Sequence, residues 1–180
     1  MAQCQERYDS EIVPALMERF GYTNRLAVPR LTKIIISAGV GRATEEKERL
    51  QQTLDDLAAI SGQKAVPRQA RQSVAGFKIR EGMVVGAMVT LRKTRMYEFL
   101  ERLIVVAIPR IRDFRGLSPD AFDGHGNFSF GLSEQLVFPE VDPNSVKVTQ
   151  GMNITIVTTA KRDDEGRELL RLFGMPFTTE

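Results

Sequence analysis

Between Pro109 and Gly131 the chain gathers Arg110, Arg112 and Arg115 with Phe114, Phe122, Phe128 and Phe130. A guanidinium presents a planar fork of donors that matches phosphate, and its flat face stacks on aromatic rings. Gly116, Gly124, Gly126 and Gly131 punctuate the same stretch. These residues suit a shaped surface for RNA or for a partner protein. Covalent chemistry has weaker support. Asp123, His125 and Ser129 match a hydrolytic triad by type, but their spacing is too tight, and glycines flank the histidine on an expected turn. Asp163, Asp164 and Glu165 read as acids drawn to a helix N-terminus by its dipole. Gly39-Val-Gly41 hints at a phosphate loop, yet Thr44 stands where a third glycine is needed, and no Gly-Lys-Ser/Thr occurs. One cysteine, Cys4, and one histidine leave no basis for a zinc site or a Cys–His pair.

Charge is more informative in its distribution than in its sum. The net charge is only +2. From Gln63 to Arg80 the chain carries Lys64, Arg68, Arg71, Lys78 and Arg80 with no acid, and Arg92, Lys93, Arg95 and Arg102 follow. The acids collect elsewhere, at Glu45–Glu48, Asp55–Asp56, Glu134–Asp142 and Asp163–Glu168. Segregation of this kind gives a molecule a positive side. The plainer reading is a solubilising surface. Residues 71–82 stand out as a basic loop with an aromatic, Phe77, and glycines punctuating it. Such a loop in a compact domain serves a function or stays disordered; here we expect a mobile arm reaching toward a phosphate backbone.

A chain of 180 residues with 42% apolar content can bury one good core. No apolar run reaches the roughly 18–20 residues of a membrane span. The N-terminus has no apolar signal core. The single cysteine fits a reducing cytoplasm. Helices are expected at 8–20 (capped by Asp9 or Ser10 and stopped at Gly21), from Thr44 to Gly62, from a Thr94 cap to Pro109, and from an Asp163 cap to Gly174. Strands are expected at 31–37, 65–69, 83–92 and 152–160, with a short strand or turn at 135–138. Strands and helices mix without strict alternation. The reading is an α+β single domain, 1–180, with an antiparallel sheet, helices packed on one face and a protruding basic loop. The other sheet face would be free to bind.

These motifs resemble a known family. Val28-Pro-Arg with the Gly39-Val-Gly41 turn, Ile60-Ser-Gly-Gln-Lys64, Ser73-Val-Ala-Gly-Phe-Lys-Ile-Arg80, Val89-Thr-Leu-Arg92, Met96-Tyr97, Pro109-Arg-Ile-Arg-Asp-Phe-Arg-Gly116, Phe122-Asp-Gly124, Glu134-Gln135, Phe138-Pro-Glu140, Thr158-Thr-Ala160 and Met175-Pro-Phe177 occur in order along nearly the whole chain. Together they resemble bacterial large-subunit ribosomal protein five. The resemblance implies a non-enzymatic, cytoplasmic component of the large ribosomal subunit, in its central protuberance. It implies 5S rRNA binding through the sheet side, to which Ser37, Gln63, Lys64, Arg68, Thr90 and Arg92 are assigned. The 71–82 loop, through Arg71, Phe77, Lys78 and Arg80, would contact peptidyl-site tRNA. Arg110, Arg112 and Arg115 would meet large-subunit rRNA or a partner. The remaining expected partners are small-subunit ribosomal protein thirteen and neighbouring large-subunit proteins; no membrane, metal or organic cofactor is implied. The alternative is a free-standing RNA-binding regulator or RNA chaperone. Ser37, His125 and Asn153 stand where the resemblance leads us to expect Asn, Arg and Asp.

Overall fold

The computed structural model describes residues 3–41 and 47–178. Thr44, expected to cap a helix, lies outside them, as do Glu45, Glu46, Thr179 and Glu180. The chain opens with helix α1 (Gln3–Arg7), a π-helical turn (Tyr8–Ile12) and α2 (Val13–Phe20). Strand β1 (Leu31–Gly39), α3 (Lys47–Ser61), β2 (Val66–Gln69) and β3 (Val84–Leu91) follow. Helix α4 (Lys93–Arg102) runs into a second π turn (Leu103–Ala107). Strands β4 (Phe128–Leu132) and β5 (Met152–Thr158) precede α5 (Asp163–Phe173). The five strands form one antiparallel sheet in the order β2-β3-β1-β5-β4, as α+β was expected to give.

Alternation along the strands explains the sheet. On β1, Ile34, Ile36 and Ala38 are buried while Lys33, Ile35 and Ser37 are half-exposed. On β5, Met152, Ile154, Ile156 and Thr158 are buried. A period of two buries one side and leaves the other for solvent or a ligand. At Gly86 of β3 an added Cβ would lie 2.5 Å from the Ala38 carbonyl oxygen, so only glycine lets the two backbones approach this closely.

Packing divides the chain into two compact units. Met1–Ile34, Leu91–Phe130 and Thr155–Glu180 form one. Its core includes Leu16, Ile34, Phe99, Leu100, Leu103, Phe128, Leu169 and Phe173, all essentially buried. Ile35–Thr90 and Gly131–Ile154 form the other, around Ile36, Leu57, Ile60, Val89, Phe138 and Ile154.

Several expected boundaries move. The first helix begins at Gln3, and Asp9 and Ser10 lie inside it; the Ser10 hydroxyl donates back to Glu6 O at 2.9 Å instead of capping. Gly21 stops this helix as expected, at φ +69°. Thr94 lies within α4, whose N-cap is Arg92. Residues 135–137 form a 3₁₀ turn. Strand β4 has no counterpart among the expected elements.

Candidate nucleic-acid interface

Of the residues assigned to the sheet side, Ser37, Gln63, Lys64, Arg68 and Thr90 fall in the second unit, and Arg92 begins the first unit's α4 as its N-cap. Gln63 is positioned by the end of α3. The Ser61 hydroxyl donates to Leu57 O at 2.6 Å, lies 3.0 Å from Gln63 O and accepts from Gln63 N at 3.2 Å. Gly62 turns the chain with φ +63°. The Gln63 amide then donates to the Thr90 carbonyl at 3.3 Å. The structure therefore brings Gln63 and Thr90 together. Thr90 and Met88 occupy the half-exposed side of β3, while Ala87, Val89 and Leu91 are buried. Arg68 of β2 pairs in register with Gly86, and Val66 with Met88. A register shift between Arg68 and Gln69 interrupts the ladder there; such a bulge re-aims side chains. Lys33 shares the half-exposed side of β1 with Ser37. Sequence reasoning misses it, although the alternation Lys33, Ile35, Ser37 carries the signal.

The 71–82 loop is a built turn. Val74 and Ile79 exchange main-chain hydrogen bonds at 2.9 and 3.2 Å. Ala75–Phe77 form a 3₁₀ turn, closed by Lys78 in the left-handed region at φ +55°. Gly82 N donates to Ala70 O at 3.0 Å, and Glu81 N to the Ser73 hydroxyl at 3.0 Å. The tip presents Phe77, 76% exposed, between Arg71, Lys78 and Arg80, all exposed or half-exposed. A phenyl ring held this far into water gains by stacking or burial on a partner.

The arginine segment is fastened at both ends. Ile111 N donates to Ile108 O at 3.1 Å. Leu117 N donates to Pro176 O and Thr178 N to Leu117 O, both at 2.9 Å. Gly116 has φ +110°, and an added Cβ would meet Thr178 Oγ1 at 2.7 Å and its main-chain nitrogen at 2.9 Å. The Phe177 ring lies 5.4 Å from Phe128 and 6.1 Å from Phe122. Arg110, Arg112 and Arg115 all project as exposed side chains. A local Arg112–Asp113 ion pair, the dull explanation of this motif, is not formed.

The assigned cations are unpartnered, as are Arg30, Lys33, Lys93 and Lys161 elsewhere. Among the described residues, the side chains of Lys64, Arg68, Arg71, Lys78, Arg80, Arg92, Arg110, Arg112 and Arg115 make no hydrogen bond or ion pair. Several other arginines are used internally. Arg7 pairs with Glu11, Arg25 with Asp9, and Arg162 with Glu165. Arg19 and Arg171 converge on the buried Glu168 at 2.6 and 2.7 Å. The bidentate Arg171 contact, then Arg19, hold the Glu168 carboxyl below its usual range despite burial.

The triad types are spent on turns. The Asp123 carboxylate accepts from the Asn127 amide at 2.7 Å and from His125 N at 2.9 Å, which keeps it below the ordinary aspartate range. The Ser129 hydroxyl donates to Thr155 Oγ1 at 3.0 Å. Asp163, expected to cap its own helix, instead accepts from Gly124 N at 3.1 Å and Gly126 N at 2.8 Å. Among the described residues no acid, histidine and cysteine cluster could hold a metal ion, and no helix is long and apolar enough to cross a membrane.

Comparison with known proteins identifies a family. Residues 24–80 match the model described as Ribosomal protein L5, and residues 84–177 match the model described as the C-terminus of that ribosomal protein family. The chain is 58% identical over 177 residues to a protein of Rubrobacter xylanophilus named large ribosomal subunit protein uL5, covering 98% of each. It is 55% identical over 179 residues to the uL5 of Methylococcus capsulatus, covering 99% of this chain and all of the relative. Against the uL5 of Caldanaerobacter subterraneus it is 53% identical over 177 residues, 98% of this chain and 99% of that one. With matches running from one end to the other, the chain belongs to the uL5 family of large ribosomal subunit proteins.

Proposed function

We propose that this chain is a structural, non-enzymatic constituent of the large ribosomal subunit that holds 5S rRNA against the half-exposed strand positions and the turns beside them. The observation that carries the reading is the set of nine unpartnered cations between Lys64 and Arg115. Seven of the nine are guanidiniums, and they gather within Arg68–Arg115, while Arg7, Arg19, Arg25, Arg162 and Arg171 are held by carboxylates. Cations supply affinity by displacing counterions from phosphates. Neutral groups at Gln63 and Thr90 supply selection, reading shape and hydroxyls without adding charge. The pre-shaped turn at 71–82 contacts peptidyl-site tRNA, ordering its basic side chains on arrival. The fastened arginine segment meets large-subunit rRNA or small-subunit protein thirteen.

Replacement of Gln63 and Thr90 together by Ala tests the division between affinity and selection. Each loses a hydrogen-bonding group and no cation. The expected result is a loss of about 1–3 kcal/mol in 5S binding with an unchanged salt dependence. Titration at several salt concentrations decides it, and unchanged affinity at every salt would overturn the assignment.

A further inference from the structure

An open cavity of about 550 Å³ lies among the N-terminal helix, α4 and the end of α5. Its wall includes Ile104 and Val105, and Val105 is 67% exposed although it interrupts a run whose neighbours Leu103, Ala107 and Ile108 are buried. Cys4 and Phe173 add buried apolar atoms. Burial, and then the nearby Glu101 carboxylate, push the Cys4 thiol above its usual range, so it serves here as a neutral, apolar group. The rim is acidic. Glu6, Glu11 and Glu101 line it against one cation, Arg7, which Glu11 already neutralises at 3.2 Å. Both π-helical turns of the chain's described residues, Tyr8–Ile12 and Leu103–Ala107, border the cavity. Single π turns within α-helices are rare and occur frequently at functional sites.

An exposed aliphatic floor ringed by carboxylates repels phosphate and attracts a cation-flanked apolar group. We propose that this cavity docks a basic segment of a neighbouring ribosomal protein, inserting one aliphatic side chain toward Val105 with lysine or arginine on either side of it. The chain would then use two surfaces of opposite character, one for RNA and one for protein. The inference rests on incorporation into the large subunit, as proposed above.

The test uses large subunits purified from cells whose only copy of the protein carries Ser10→p-benzoylphenylalanine, a photoreactive group at the cavity rim. Co-sedimentation of the protein with large subunits is scored first; its absence would count against incorporation itself. After irradiation, the cross-linked peptide is mapped by mass spectrometry. The expected result is a cross-link to a lysine- or arginine-rich protein segment, reduced at least tenfold by adding Glu101→Lys or, separately, Val105→Asp in subunits that still incorporate the protein. A cross-link to rRNA, no cross-link in incorporated protein, or a protein cross-link indifferent to both substitutions would each overturn the proposal.

Discussion

Arg112 and Arg115 are exposed and unpartnered, so their removal costs the fold little. Surface substitutions away from packing or networks usually fall within about 0.5 kcal/mol. Arg112→Ala with Arg115→Ala is therefore expected to leave the melting temperature within a few degrees while weakening subunit association or central-protuberance assembly, as read from sucrose-gradient profiles of the same variant. A large melting loss with normal assembly would show that the pair serves the fold. Glu168 is the opposite case, a carboxylate buried beneath Arg19 and Arg171. Its folded carboxyl titrates below its ordinary value of 4.5. Its contribution is thus complete above that value and is lost as pH falls through the depressed one. Glu168→Gln should lower stability near neutrality by on the order of 1–3 kcal/mol and shrink the difference from wild type on acidification, measured as melting temperature against pH. A difference that grows below pH 4.5 would contradict this linkage.

At the level of elements, β1, β3 and β5 were legible from sequence as short runs rich in β-branched and apolar residues bounded by turn signals. Which side of β1 is buried required the structure, because Ile34, Ile35 and Ile36 are alike and only Ile34 and Ile36 are buried. Strand β4 escaped because Phe128–Leu132 sits amid glycines and aromatics that resemble a loop, and its pairing with β5 is non-local. The π turns escaped because one extra residue per turn barely alters an apolar stripe. Asp163 misled because capping is a local expectation, whereas its carboxylate satisfies Gly124 and Gly126 from across the sequence. The cations of the candidate interface were legible by type, but their freedom from partners required the structure. Close contacts and the shaped turn give two predictions at this scale. Gly86→Ala drives a Cβ into the Ala38 carbonyl; overpacking of this kind costs roughly 1–3 kcal/mol, so thermal melting should fall by several degrees. Lys78→Glu with Arg80→Glu should impair retention of peptidyl-site tRNA, by filter binding to reconstituted ribosomes, with 5S binding nearly intact. Loss of 5S binding in a folded double variant would move the turn into the 5S site.

For the molecule as a whole, a net charge of +2 conceals a strong internal division of labour. Carboxylates neutralise Arg7, Arg19 and Arg25, while nine cations from Lys64 to Arg115 remain unpartnered and, on the proposed reading, meet RNA phosphates. On that reading, selectivity comes from shape and neutral donors, because charge alone binds all RNA. The measurement that bears most directly on this is a gel-shift titration of 5S rRNA with the intact protein, repeated with excess tRNA as competitor, across salt concentrations, for wild type and for Arg68→Glu with Arg92→Glu. The account predicts a 5S complex that survives the tRNA excess, and a double variant that binds more weakly with a salt slope reduced by roughly 0.7–0.9 per cation lost. A 5S complex displaced by tRNA mass for mass, or a double variant with unchanged affinity and slope, would contradict it.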